Sequence, residues 1–111
     1  MQFLAIYKPD KPSSGPPAPE QMEKMGKFVE QAMRDGTLLT TGSVGSAAKG
    51  ARVRLSAGRL TVEDGAGPEG QAIAGFAILK TESQEEMLDL VTQFLRLAGD
   101  GVSEVHALNE Y

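Results

Sequence analysis

The chain has 111 residues, 41% of them hydrophobic, which suits one domain with one modest core. Eleven Lys and Arg against fifteen Asp and Glu leave a net charge of -4, which argues against nucleic acid phosphates or an anionic membrane as partners. The absence of cysteine excludes disulfides, thiolate catalysis and a cysteine-bearing zinc site.

The opening MQFLAIYKPDK holds about five apolar residues in a row with no basic segment ahead of them, too little for a signal peptide or a membrane span. No later apolar run nears the ~20 residues of a spanning helix, so a soluble, cytoplasmic protein is expected. Residues 2–8, QFLAIYK, are apolar on both alternating faces and stop at Pro9, which predicts a strand buried on two sides. The prolines of PDKPSSGPPAPE then predict a long surface loop inside a single domain spanning residues 1–111. Pro19 suits a first helical position, with Glu20 and Glu23 near the positive end of the helix dipole. Met22, Met25, Val29, Ala32 and Met33 follow at helical spacing and predict a core-facing stripe that ends at Asp35-Gly36.

TLLTTGSV, residues 37–44, reads as a second strand, and GSAAKG after it as a turn. Residues 51–63, ARVRLSAGRLTVE, predict a hairpin around Ala57-Gly58 with one wet face. Ala51, Val53, Leu55, Leu60 and Val62 fall on one side of it, and Arg52, Arg54, Arg59, Thr61 and Glu63 on the other. A two-residue turn sets Arg52 opposite Glu63 and Arg54 opposite Thr61; Ala57 fits a positive-φ position poorly, so a bulged turn with a shifted register stays open. A glycine-rich connection, DGAGPEG, leads into AIAGFAILK, residues 72–80, another strand apolar on both faces. Ser83 to Glu86 matches a capping box, and Met87, Leu90, Val91, Phe94, Leu95 and Ala98 predict a second amphipathic helix closed by Gly99. Residues 102–108 predict a last strand with Val105 and Ala107 on one face and Glu104 and His106 on the other.

The order β-α-β, hairpin, β-α-β with right-handed crossovers predicts an α+β ferredoxin-like sandwich, two helices on one face of a mixed sheet. In that layout residues 2–8 and 72–80 are the central strands. Two helices cover only one sheet face, and the other face is apolar too. A homodimer that packs sheet face on sheet face, a dimeric α+β barrel, covers it.

Several runs, in order along nearly the whole chain, resemble the YCII-related family, also called the DGPF-motif family. They are FLAIYK, PEQMEKMGKFVEQAMRDGTLL, KGARVRLSAGRLTVEDG, IAGFAIL, SQEEML, and the GDG and EV of the last strand. The resemblance implies the dimeric ferredoxin-like arrangement, with enzymatic activity suspected for the family. The name motif is altered here to Asp64-Gly65-Ala66-Gly67, with a proline only at Pro68, and the usual basic residue before IAGF is replaced by Gly70-Gln71. The His that the YCII branch suggests near the first helix is missing, whereas His106 stands in the last strand where DGPF-type relatives often carry Arg.

Asp64, opening the glycine-rich loop, could serve as a general base or anchor a polar ligand group, with Gly65 beside it on the rim; Asp-Gly is equally a turn signal. His106 has the only side chain with an ordinary pKa near neutrality and is the candidate proton shuttle, or else a surface residue. Lys49, Arg52 and Arg54 form a basic group able to hold a carboxylate or phosphate, or simply a solvated face. Tyr7 could point its hydroxyl into a cleft or sit as a core tyrosine. One His and scattered carboxylates make no metal site, and the loop's glycines precede a strand and not a helix, so no phosphate cradle and no cofactor are expected. Paired aromatics in a basic setting, which RNA-recognition modules need, are missing. Three functions remain: a homodimeric, cofactor-independent enzyme using acid-base chemistry on a small metabolite, a non-catalytic small-molecule-binding or regulatory dimer, and an accessory module for another protein.

Overall fold

The computed structural model describes residues 1–10, 18–45, 49–65 and 73–110. The readings made for the proline-rich loop at 11–17, the turn at 46–48 and the glycine-rich connection at 66–72 lie outside them. The elements follow the expected order: β1 (Gln2–Pro9), α1 (Pro19–Asp35), β2 (Leu38–Ser43), β3 (Ala51–Ser56), β4 (Arg59–Asp64), β5 (Gly75–Lys80), α2 (Gln84–Ala98) and β6 (Gly101–Ala107). β2, β5, β1 and β6 lie side by side in that order, and β3 with β4 form a separate hairpin. Every neighbouring pair is antiparallel, which corrects the mixed sheet expected from the crossovers. Each helix does return the chain to run the same way, but an oppositely running strand is inserted between the two it joins. The result is an α+β fold consistent with the ferredoxin-like layout.

Local chemistry sets the helix ends. Pro19 occupies the first turn of α1, where its missing N–H is no loss, and the helix closes at Gly36, whose N–H bonds back to Met33. The Ser83 hydroxyl accepts from the Glu86 backbone at 3.1 Å, while the Glu86 carboxylate accepts from Glu82 N–H at 3.4 Å, so the capping box closes one residue early. On the exposed side of α1, Glu20–Lys24, Glu23–Lys27 and Glu30–Arg34 pair at four-residue spacing, each worth a few tenths of a kcal/mol.

Strand alternation divides the sheet into two faces. Phe3, Ala5 and Tyr7 of β1 face the helices beside Leu79 and Ala77 of β5 and Val105 of β6. Phe3, Ala32, Leu38, Leu79 and Met87 are the buried hydrophobic core. The methionine stripe is narrower than its spacing suggested: Met22 and Met33 are exposed, at 57% and 46%. At roughly 100° per residue they stand about 50–75° from the mean direction of Met25, Val29 and Ala32, and Phe28 takes the inner flank instead.

The opposite face has no helix on it. Leu4, Ile6 and Ile78 are half-buried there, while Phe76 and Val102 are exposed. Phe76 lies across Gly42 of the neighbouring strand so closely that a Cβ at residue 42 would stand 2.7 Å from the ring. On this face Lys8 and Glu104 pair at 2.7 Å, which, with His106 alongside, holds the Glu104 carboxyl below its usual range.

The hairpin has the unshifted register, with Arg52 opposite Glu63 and Arg54 opposite Thr61. Ala57 and Gly58 both adopt positive φ, 51° and 79°, as a two-residue primed turn requires, so Ala57 accepts a conformation that disfavours it and no bulge forms. The expectation of one wet face is corrected: Val53, Leu55, Leu60 and Val62 are 62–71% exposed, because among the described residues no other element packs on the hairpin more than slightly. Among the described residues, no helix is long and apolar enough to cross a membrane.

Candidate functional site

Between the helices and the sheet lies a cavity of about 400 Å³. It exists because the strand residues beneath it are small. Ala5 is flanked by Ala77, and Tyr7 stands between Gly75 and Ser103, so the helix-side floor around the tyrosine is nearly bare. Phe28 and Val29 of α1 and Leu90, Val91 and Phe94 of α2 form the walls, and Thr41 and Ser43 of β2 bring hydroxyl side chains to the rim.

Tyr7 is the organising polar group. Its ring meets Phe94 edge to face, with centroids 5.3 Å apart and planes at 86°. Its hydroxyl donates to the carbonyl of Gly99 at 3.2 Å, at the turn between α2 and β6. Burial, followed by the negative charges of Asp10 and Asp100, raises the phenol's pKa, so Tyr7 stays protonated at neutral pH. With that proton committed to Gly99, its oxygen lone pairs remain to accept a ligand O–H.

Gly101 holds this corner together by being small. A Cβ there would lie 2.6 Å from the Lys8 carbonyl oxygen, 2.8 Å from Tyr7 Cε1 and 2.9 Å from Pro9 Cα. Backbone on two of three sides leaves no cheap relief. Gly101→Ala is therefore expected to destabilise the fold by about 1–3 kcal/mol and displace the Tyr7 ring. Thermal denaturation and the Tyr7 ring resonances check both parts.

The other sequence candidates lie elsewhere. Asp64 ends β4 opposite Ala51, at the base of the hairpin and on the same side as Val53 and Val62. Arg52 and Arg54 alternate onto the other side, so the hairpin does not bring them together with Asp64. Gly65 bonds to the Gly50 carbonyl at 2.9 Å, closing that base, and Lys49 precedes it. His106 pairs across β1 with Leu4, on the helix-free face of the sheet and away from the cavity. Among the described residues no three acidic or imidazole side chains group as metal ligands would.

The hairpin base and the cavity are nonetheless linked by the chain path. The polypeptide leaves the rim at Ser43 and returns to it at Ala74, where Val44 N–H bonds to the Ala74 carbonyl at 2.8 Å and Ala74 N–H to the Tyr7 carbonyl at 2.9 Å. Gly50, bonded to Gly65, is seven residues from Ser43, so the chain carries the base no farther than about 25 Å from the rim.

Sequence reading missed Phe28, Thr41, Ser43 and Ser103. The one legible signal was the run of small residues, Ala5, Gly75 and Ala77, in strands otherwise rich in large apolar ones. That these residues adjoin follows only from strand register.

No individually curated protein matches the sequence. A solved structure with the same fold is that of 5-chloro-2-hydroxyhydroquinone dehydrochlorinase (TftG) from Burkholderia phenoliruptrix AC1100, in complex with 2,5-dihydroxybenzoquinone. It is 18% identical, the alignment covers 100% of this chain and 96% of that one, and the TM-score is 0.53. At that identity the likeness establishes the fold alone. The sequence itself matches the YCII-related domain over residues 1–109, the span that includes the cavity, both helices and the hairpin, and on that match the chain belongs to the YCII-related domain family.

Proposed function

We propose that this protein is a homodimeric, cofactor-independent enzyme that moves protons on a small, oxygen-bearing ring held over Tyr7. The observation that carries the reading is the cavity itself. Its volume of about 400 Å³ is at the small end of ligand sites, its walls are apolar and aromatic, and its few polar groups are hydroxyls. Such a site suits a flat, uncharged or delocalised ring better than a phosphate or a sugar. The TftG dehydrochlorinase, whose structure holds 2,5-dihydroxybenzoquinone, supports the same ligand class.

Tyr7 accepts a ring hydroxyl, and Phe94 packs against the ring face. The proton acceptor is assigned to Asp64: the described residues lining the cavity include no carboxylate or imidazole, and Asp64, outside that lining, stands at the base of the insertion that interrupts the rim. Pairing of two copies through the helix-free sheet face removes Leu4, Ile6, Phe76 and Ile78 from water.

A second reading, binding without turnover, is favoured by one observation: among the described residues the only titratable side chain lining the cavity is Tyr7, whose raised pKa keeps it from acting as a base at neutral pH. A thermal-shift and calorimetric screen of hydroxylated and halogenated benzenes and quinones, with 2,5-dihydroxybenzoquinone among them, tests the ligand class. Ring compounds are expected to raise the melting temperature, and Phe94→Ala to weaken their binding about tenfold. A screen in which only phosphorylated or strongly charged metabolites stabilise the protein would contradict the assignment.

A further inference from the structure

The hairpin β3–β4 is built in a way its position does not explain. Val53 faces Val62 and Leu55 faces Leu60 on one side, an ordinary half-buried strand pattern, yet these four are 62–71% exposed and among the described residues no other element packs on them appreciably. The radius of gyration is 16.0 Å, against about 13 Å for a compact chain of this length, and the extents are 45 × 40 × 19 Å. The molecule is thin and wide, with the hairpin held out from the body. An isolated two-stranded hairpin is marginal in water at best.

Charge separates the arm from the body. Lys49, Arg52, Arg54 and Arg59 against Glu63 and Asp64 give residues 49–65 a charge of +2, which leaves -6 of the chain's -4 total on everything else. The arm is thus drawn to a body like its own.

Area decides between a partner that meets only the open sheet face and one that also takes the arm. Four strands about 20 Å long at about 4.8 Å spacing present roughly 400 Å² of flat sheet, so two copies meeting there alone bury about 800 Å², the scale of an incidental contact. Each hairpin face and the partner surface it covers add roughly 400 Å², and the two arms bring the total to about 1,600 Å², the usual size of a specific interface.

We propose that the hairpin is a dimerisation arm, and that in a two-fold pair each copy lays Val53, Leu55, Leu60 and Val62 on the acidic body of the other, beside the paired sheet faces. This rests on the two-copy reading above and adds the surface that makes it stable. It also explains why a strand pair rich in β-branched and leucine residues persists away from its own core.

Sedimentation combined with hydrogen-exchange mass spectrometry, on wild type and on the double variant Leu55→Glu with Leu60→Glu, tests it. Wild type is expected at twice the 11.8 kDa chain mass at roughly 100 µM, with the amides of β3 and β4 protected and that protection fading on dilution. The double variant is expected to dissociate at about 100-fold or more higher concentration and to lose hairpin protection, while β1 and β5 amides stay protected, which shows the body intact. A variant that dimerises as wild type does, or a wild-type dimer whose hairpin exchanges freely, overturns the arm and leaves sheet-face pairing standing. A wild-type monomer overturns both, and one whose hairpin gains protection only with lipid vesicles assigns the apolar face to a membrane surface instead.

Discussion

Asp64→Asn is expected to lower turnover of any ring compound the protein converts by about 10² to 10⁴, the usual contribution of a positioned general base, while ring affinity changes by less than about twofold. The substitution is chosen because asparagine keeps the shape and turn preference of aspartate beside Gly65, so the hairpin base, closed by Gly65 N–H to Gly50, is retained. Steady-state kinetics alongside calorimetric titration separate the two quantities. Loss of turnover with binding intact identifies Asp64 as the proton acceptor. Undiminished turnover removes Asp64 from the chemistry and moves the proton acceptor to another group, whereas ring binding with no turnover even in the wild type leaves the binding-only reading in its place.

Phe3→Ala is expected to lower stability by about 3–5 kcal/mol, from lost burial plus the cavity left behind. Phe3 is 4% exposed and, among the described residues, belongs to a core of five buried hydrophobics that includes Leu79 and Met87. Against a typical total of about 5–15 kcal/mol, the loss shifts the melting temperature by roughly 15–30 °C. Thermal denaturation followed by circular dichroism measures it. A shift of only a few degrees would mean that the core's weight lies elsewhere, and that the helix-side packing described for β1 contributes little.

The core of the fold was legible because periodicity and punctuation agree. Pro19 and Gly36 bracket α1, Ser83 opens α2, and two strands apolar on both faces announce themselves as central. What the sequence could not carry was anything set by pairing across long separations. Strand direction depends on which strand is inserted next to which, so the mixed sheet became antiparallel. The cavity depends on Tyr7 lying between Gly75 and Ser103, residues 68 and 96 positions away along the chain, and no local pattern encodes that. The methionine stripe went astray for a related reason: an arc of α1 wide enough to include Met22 and Met33 reads as one face, and only the position of α2 and the sheet decides which half is covered.

The candidate residues fared according to how local their logic was. Tyr7 reached the cavity because it belongs to a central strand whose helix-facing parity starts at Phe3. Asp64 and the basic group of Arg52 and Arg54 belong to one hairpin, yet alternation along β3 and β4 puts the carboxylate and the guanidiniums on opposite sides. His106 was singled out for its pKa alone, and parity on β6 places it on the helix-free face with Leu4 and Glu104.

The most direct test of a ring seated over Tyr7 is an aromatic NMR titration of the wild-type protein with the hydroxylated compounds that stabilise it. With four Phe, two Tyr and one His in the chain, each ring can be assigned. Resonances of Tyr7, Phe28 and Phe94 are expected to move together along one saturation curve while those of His106, which does not line the cavity, stay in place. Shifts confined to His106, with Tyr7 and Phe94 unmoved, would put the ligand on the other face of the sheet and contradict the account.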